Sequence, residues 1–317
     1  MSVYNFLLVF LLSGFAFAQT EAVNQTQTST ESIEQKIEAD KKAEDELKNY
    51  VTNTDPDSQS SGSGRYRVHL FSLGGIDRTQ IENMNDRQQS MYFFENYLQL
   101  AYKFRKDARM ALRYSFNYST AGYDRTGKDL TDKADTRDMS ILLTYYDVFE
   151  DYLPASVSYS FQPRLYLPTS EKSKMQGMIS ALRLENVVKY YVGRYDYFRF
   201  WVAPTYYFQR STAYVDSNNK IKTTDMVGVK HGASYSYNIN KFFSLAPGFE
   251  FEDEWSNTSE VNNRDEFRNT TVDYRLGLEM RPMKRLMFTL GYGHRKDLIK
   301  TDNFNDTFTL MTNLALY

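Results

Sequence analysis

The stretch Val157 to Leu167, VSYSFQPRLYL, decides the fold. Val157, Tyr159, Phe161, Leu165 and Leu167 fall on one parity, and Ser156, Ser158, Ser160, Gln162 and Arg164 on the other. Successive side chains of an extended chain point to opposite sides, so this spelling predicts a strand with one apolar and one polar face. The run is about twice the usual five or six residues of a globular strand, and it matches the roughly 9 to 11 that a tilted strand needs to cross a bilayer.

The same period of two recurs on both sides of it. Met110, Leu112, Tyr114, Phe116 and Tyr118 alternate with Arg113, Ser115 and Asn117. Phe94, Leu98, Leu100, Tyr102 and Phe104 share a parity that only Asn96 interrupts. Phe243, Leu245, Phe249 and Phe251 oppose Ser244, Gly248, Glu250 and Glu252, and Val272, Tyr274, Leu276, Leu278 and Met280 oppose Asp273, Arg275, Gly277 and Glu279. Twelve runs are predicted, over 65–74, 91–104, 108–118, 137–147, 155–167, 177–191, 197–210, 225–237, 242–255, 268–280, 285–296 and 305–317. Connections after even-numbered runs are short (105–107, 192–196, 238–241), whereas those after odd-numbered runs are mostly long and polar (119–136, 211–224, 256–267). Alternating short turns and long loops between long two-faced strands predict an all-β fold, a 12-stranded antiparallel up-and-down transmembrane β-barrel over 65–317. A soluble sandwich would have to hide twelve apolar faces at once, whereas a barrel turns them to lipid.

Composition agrees. Aromatic residues make up 16% of the chain, yet mean hydropathy is -0.59, too polar for a bundle of membrane helices. A membrane strand hides from such an average because only alternate residues are apolar. Aromatic clusters fall at run ends (Tyr92–Phe93–Phe94, Tyr102 with Phe104, Phe149 with Tyr152, Tyr190–Tyr191, Tyr195 with Tyr197–Phe198, Phe242–Phe243, Trp255), where rings with a polar tip suit the headgroup level. The formal charge of -2 excludes a nucleic-acid binder driven by bulk positive charge, and the lack of cysteine excludes disulfides, thiol catalysis and a lipid-anchored N-terminus.

Residues 1–18 carry one apolar run, Phe6 to Phe17, followed by Ala16-Phe17-Ala18, which reads as a secretory signal peptide. Residues 19–64 form an extension: a Thr/Gln/Ser-rich start, a helical but seam-broken segment over 31–51, and the linker TNTDPDSQSSGSG over 52–64.

With its leader, its alternating runs and the terminal segment NDTFTLMTNLALY, the chain resembles the Gram-negative outer-membrane β-barrel class, porin-like. The resemblance covers the C-terminal four-fifths of the chain and names a class. It implies a bacterial outer-membrane location, contact with outer-membrane lipids, and recognition of the C-terminal strand, ending in Tyr317, by the barrel-assembly machinery. Contacts of 20–64 with the periplasm or cell wall are a further expectation.

Function is sought on the polar parity. It carries Arg65, Arg67, Arg113, Arg164, Arg183 and Arg199 on the first to seventh runs, and Glu250, Glu252, Asp273 and Glu279 on the ninth and tenth, with Arg275 among them. A basic wall is thereby expected opposite an acidic one, lining a narrow channel for passive diffusion of small hydrophilic solutes or ions. Gly228, Gly232, Gly248, Gly277, Gly291 and Gly293 leave room along it. A barrel of this size lies between the packed eight-stranded interior and the open 16-stranded one, so a closed structural or adhesive barrel is the alternative. An outer-membrane barrel hydrolase, phospholipase or protease, is the second alternative. It has little support: His231 and Ser234, like His69 and Ser72, lie three apart and face opposite sides, while His294 lies near Asp297 at a strand end. The sequence offers no cofactor or metal motif.

Overall fold

A computed structural model describes residues 65–77, 93–119, 133–192, 196–215, 219, 221–257, 268–283, 285–298 and 304–315. The signal peptide expected at 1–18, the extension at 19–64 and Tyr317 lie outside the described residues. The strands are β1 (Tyr66–Asp77), β2 (Phe93–Arg105), β3 (Ala108–Ser119), β4 (Lys133–Thr136), β5 (Met139–Tyr145) and β6 (Val157–Leu167). After a five-residue helix, α1 (Glu171–Met175), follow β7 (Met178–Val192), β8 (Asp196–Gln209), β9 (Ala213–Val215), β10 (Ile221–Thr223) and β11 (Asp225–Asn238). The chain closes with β12 (Phe243–Ser256), β13 (Arg268–Met283), β14 (Leu286–Asp297) and β15 (Phe304–Ala315).

Neighbours in sequence pair antiparallel all the way round, and β1 closes the sheet by pairing with both β2 and β15. β4 and β5 both pair with β3 and form one stave, so the thirteen strands of the sheet make a 12-strand barrel. β9 and β10 form a separate hairpin within the long connection between β8 and β11. The fourth run differs from expectation in starting at Lys133 and breaking at Arg137 and Asp138. The break has a cause: the Asp138 carboxylate accepts from the Ser170 amide (2.9 Å) and from the Ser173 hydroxyl, which ties it to the first turn of α1.

Pleating sorts the side chains as the alternation requires. Leu98, Leu100, Met110, Leu112, Leu165, Phe200, Val202, Leu276, Leu290 and Leu310 are exposed on the outer face, where water would penalise them and hydrocarbon does not. Among the described residues every stave pairs with a neighbour on each side, as a strand structure in lipid demands; the short β4 segment of the fourth stave pairs with β3 alone. Exposed rings stand at the short-turn rim (Tyr66, Phe104, Phe149, Tyr152, Tyr190, Tyr191, Phe242 and Phe243), and others continue up the outer face to Tyr206 and Phe208 near the long-loop end. Phe93 departs from the expected girdle. It lies on the inner parity, packed so closely over Gly75 that a Cβ there would collide with its ring.

Candidate functional site

The inner parity of the staves carries the charged side chains. Arg67 on β1, Arg113 on β3, Arg164 on β6, Arg183 on β7 and Arg199 on β8 share it, and Arg65 stands one residue before β1 at the short-turn rim. Glu250 and Glu252 on β12 and Asp273 and Glu279 on β13 share it across the sheet order. Register puts Arg164 opposite Arg183, and Glu250 opposite Asp273.

Three of the arginines meet at one acid. Glu185, two residues after Arg183 on β7, lies 3.6 Å from Arg183, 3.7 Å from Arg164 and 3.9 Å from Arg199. Arg164 also donates to Gln162 at 2.9 Å and to the Tyr166 hydroxyl at 3.3 Å. Arg113 stands apart from this cluster. Its guanidinium donates twice to Gln99 Oε1 (3.0 and 2.7 Å) and stacks 3.9 Å from the Tyr97 ring centroid, a cation–π geometry that fixes its direction.

The acids of β12 and β13 are interleaved with cations. Arg275 reaches Asp273 at 2.6 Å and Glu250 at 3.2 Å. Glu252 is held by Lys230 at 2.5 Å and Arg295 at 3.1 Å, and Glu279 by Arg281 at 2.5 Å. Trp201 Nε1 donates to Glu250 Oε2 at 3.3 Å, from β8 across the width of β11. Each of these acids therefore has its neutralising partner on its own side of the barrel. Sequence reading missed Glu185, Lys230, Arg281 and Arg295, although all four sit on the charged parity and counting by twos along each run would have found them.

Accessibility divides the lumen lengthwise. The side chain of Arg275 is 54% exposed although it points inward, so open space adjoins it on the inner wall. Nearer the short-turn rim the inner residues are packed: Arg109 is 4% exposed and Arg281 2%, with Tyr146, His69, Gln99 and Asn313 also buried. Arg109 lies 5.3 Å from the Tyr146 ring centroid, beside the small apolar cluster of Ala101, Ala111 and Leu142. Glycine does not uniformly widen the path, contrary to expectation. A Cβ at Gly232 would fall 2.6 Å from the Trp201 ring, and one at Gly291 would fall within contact of the Thr309 hydroxyl, so neighbouring side chains take up that space. Gly228 is the more open position, with nothing nearer than 3.8 Å.

Among the described residues, the histidine and serine pairs singled out in the sequence are separated by the pleat. His231 stacks on Phe251 on the outer face, with ring centroids 5.2 Å apart, while Ser234 points inward. His294 Nδ1 lies 2.6 Å from Asp306 Oδ1, a partner supplied by the neighbouring strand β15 that sequence proximity does not reveal. The acidic run 252–254 splits by parity, and Asp253 turns outward to accept from the Thr270 hydroxyl at 2.7 Å.

No protein-family model matches the chain, and no curated protein matches it by sequence. Solved structures do share its fold. The COG4313 outer membrane channel from Pseudomonas putida F1 is similar at a TM-score of 0.58 and 11% identity, over 83% of this chain and 99% of that one. The KdgM porin matches at a TM-score of 0.45 and 8% identity, over 78% of this chain and 99% of that one. The NanC porin matches at 0.45 and 8%, over 77% and 98%. The chain therefore has the fold of a bacterial outer-membrane β-barrel.

Proposed function

We propose that this barrel is a narrow passive channel for small hydrophilic solutes or ions, with its short turns in the periplasm. The observation that carries the reading is the half-exposed, inward-pointing Arg275 beside Glu250 and Asp273: a charged triad kept wet inside a lipid-facing cylinder. The triad is paired, and what sets it apart from a purely structural interior is its exposure: such an interior would be expected to close over these groups or replace them with apolar packing. The inner residues are packed towards the short-turn rim, where Arg109 and Arg281 are buried and Arg109 lies over the Tyr146 ring. The buried state of that end favours a second reading, a closed barrel whose loops or whose segment 20–64 serve adhesion or cell-wall contact. Planar-bilayer recording of the refolded chain separates the two. Discrete conductance steps support the channel, and an electrically silent barrel that is folded by gel mobility supports the closed reading.

A further inference from the structure

We propose that the Arg164–Arg183–Arg199 cluster is a binding station for small oxyanionic solutes, those carrying a carboxylate or phosphate group. The proposal rests on reading the lumen as a solute path and names what that path prefers. Three guanidinia from three adjacent strands, β6, β7 and β8, converge on the single carboxylate of Glu185. Their separations of 3.6 to 3.9 Å exceed the 2.7–2.9 Å of a charge-assisted hydrogen bond. On the neighbouring arc, β11 to β14, the contacts close to 2.5–3.2 Å, with a cation on each of Glu250, Glu252, Asp273 and Glu279. The two arcs thus differ in kind. One is a set of tight local pairs, and the other is a positive cluster gathered loosely round one acid.

Arginine recognises planar oxyanions through two parallel N–H donors. The Nε–H of Arg183 is buried and has no hydrogen-bond partner among the described residues, so a donor remains to be satisfied within the cluster. The Tyr166 hydroxyl and Gln162 lie on the same inner face beside Arg164, and Trp201 stacks by Arg199 at 5.4 Å. An oxyanion bridging Arg183 and Arg199 would bring the excess positive charge closer to balance. Glu185 would keep the three side chains oriented and prevent irreversible capture.

Trp201 supplies a reporter, because the chain has only two tryptophans. In a Trp255→Phe background, the refolded full-length chain is titrated with citrate, inorganic phosphate and glucose at constant ionic strength while Trp201 emission is followed. A saturable change is expected with citrate or phosphate and none with glucose, and whichever anion binds more tightly identifies the carboxylate or the phosphate source. Affinity should fall at least tenfold in Arg183→Gln and recover in part in Arg183→Lys, with folding of each variant checked by gel mobility. No saturable response to either anion, or an identical response in Arg183→Gln, overturns the proposal. Reversal potentials in a KCl gradient separate it from the channel reading. Conductance without anion binding leaves the channel and sinks the station; anion binding in a silent barrel keeps the station and sinks the channel.

Discussion

The side-chain amide of Asn186 donates to the carbonyl oxygen of Leu184 at 3.1 Å, at the level where prolines flank the same strand. Pro163 stands opposite Leu184 on β6, and Pro204 on β8 precedes Thr205, the partner of Arg183. Proline has no N–H to give to a sheet ladder, and the hydrocarbon offers no water in its place. Asn186 supplies the donor from its side chain and is itself oriented by the Tyr159 hydroxyl, which donates to its Oδ1 at 2.7 Å. Asn186→Leu would make the outer face more apolar and yet should destabilise the barrel by about 1–3 kcal/mol, the cost of a buried acceptor left unmade. Tyr159→Phe should cost less, since it only loosens the amide. Urea midpoints of the refolded variants in lipid check the order; a stabilised Asn186→Leu barrel would refute the assigned role.

Gly232 and Gly228 lie on one face of β11, four residues apart, and should answer an added methyl group in opposite ways. At Gly232 a Cβ would collide with the Phe249 carbonyl oxygen and fall 2.6 Å from the Trp201 ring, and the carbonyl belongs to a paired strand that cannot retreat. At Gly228 the first contact is an ordinary 3.8 Å. Gly232→Ala should lose about 1–3 kcal/mol, as overpacked positions do, while Gly228→Ala stays near neutral. Thermal unfolding of both variants, followed by loss of heat-modifiable gel mobility, measures the contrast.

The strands were legible because their length and period of two are imposed by the bilayer and survive any choice of partner. The fifth run, read over 155–167, matches β6 (Val157–Leu167) at its end and overshoots its start by two residues, and both parities of β3 match the sequence reading. The meeting of Arg164 and Arg199 at Glu185 was not legible, because it depends on the register of three strands, and a shift of two residues would preserve every face and break every pair. The filling of Gly232 by Trp201 was hidden for the same reason. The His294–Asp306 pair likewise depends on the β14–β15 register, which puts those two residues directly opposite, and Asp297 was merely nearer in sequence.

Leu276 and Arg275 test the assignment of inside and outside at mid-strand on β13. Leu276 is exposed on the outer face, and Arg275 holds Asp273 and Glu250 within. Leu276→Arg should cost about 2–4 kcal/mol, the depth-dependent penalty for an arginine facing lipid near the bilayer centre, and should slow folding into vesicles. Arg275→Gln, one position away, should insert normally and shift ion selectivity instead, because it removes a cation from the wet wall. Folding yield in vesicles and reversal potential are read on the same two variants. Equal insertion defects in both would contradict the proposed facing.

Arg109 and Tyr146 set the narrow end if the barrel conducts. Both are buried on the inner side near the short-turn rim, and the arginine stacks on the ring with Arg67 close by. A guanidinium so enclosed is held by its neighbours and not by water, so truncating the ring removes both volume and support. Tyr146→Ala should therefore raise single-channel conductance several-fold and broaden its fluctuations, because Arg109 regains rotamers that packing had denied it. Arg109→Ala should raise conductance as well and also lower any preference for anions, since it takes a positive charge from the tightest section. Tyr146→Phe keeps the ring beneath the cation and should leave both properties close to those of the parent. Conductance unchanged in both alanine variants would move the constriction elsewhere, towards the Arg183–Glu185 level where the three strands converge.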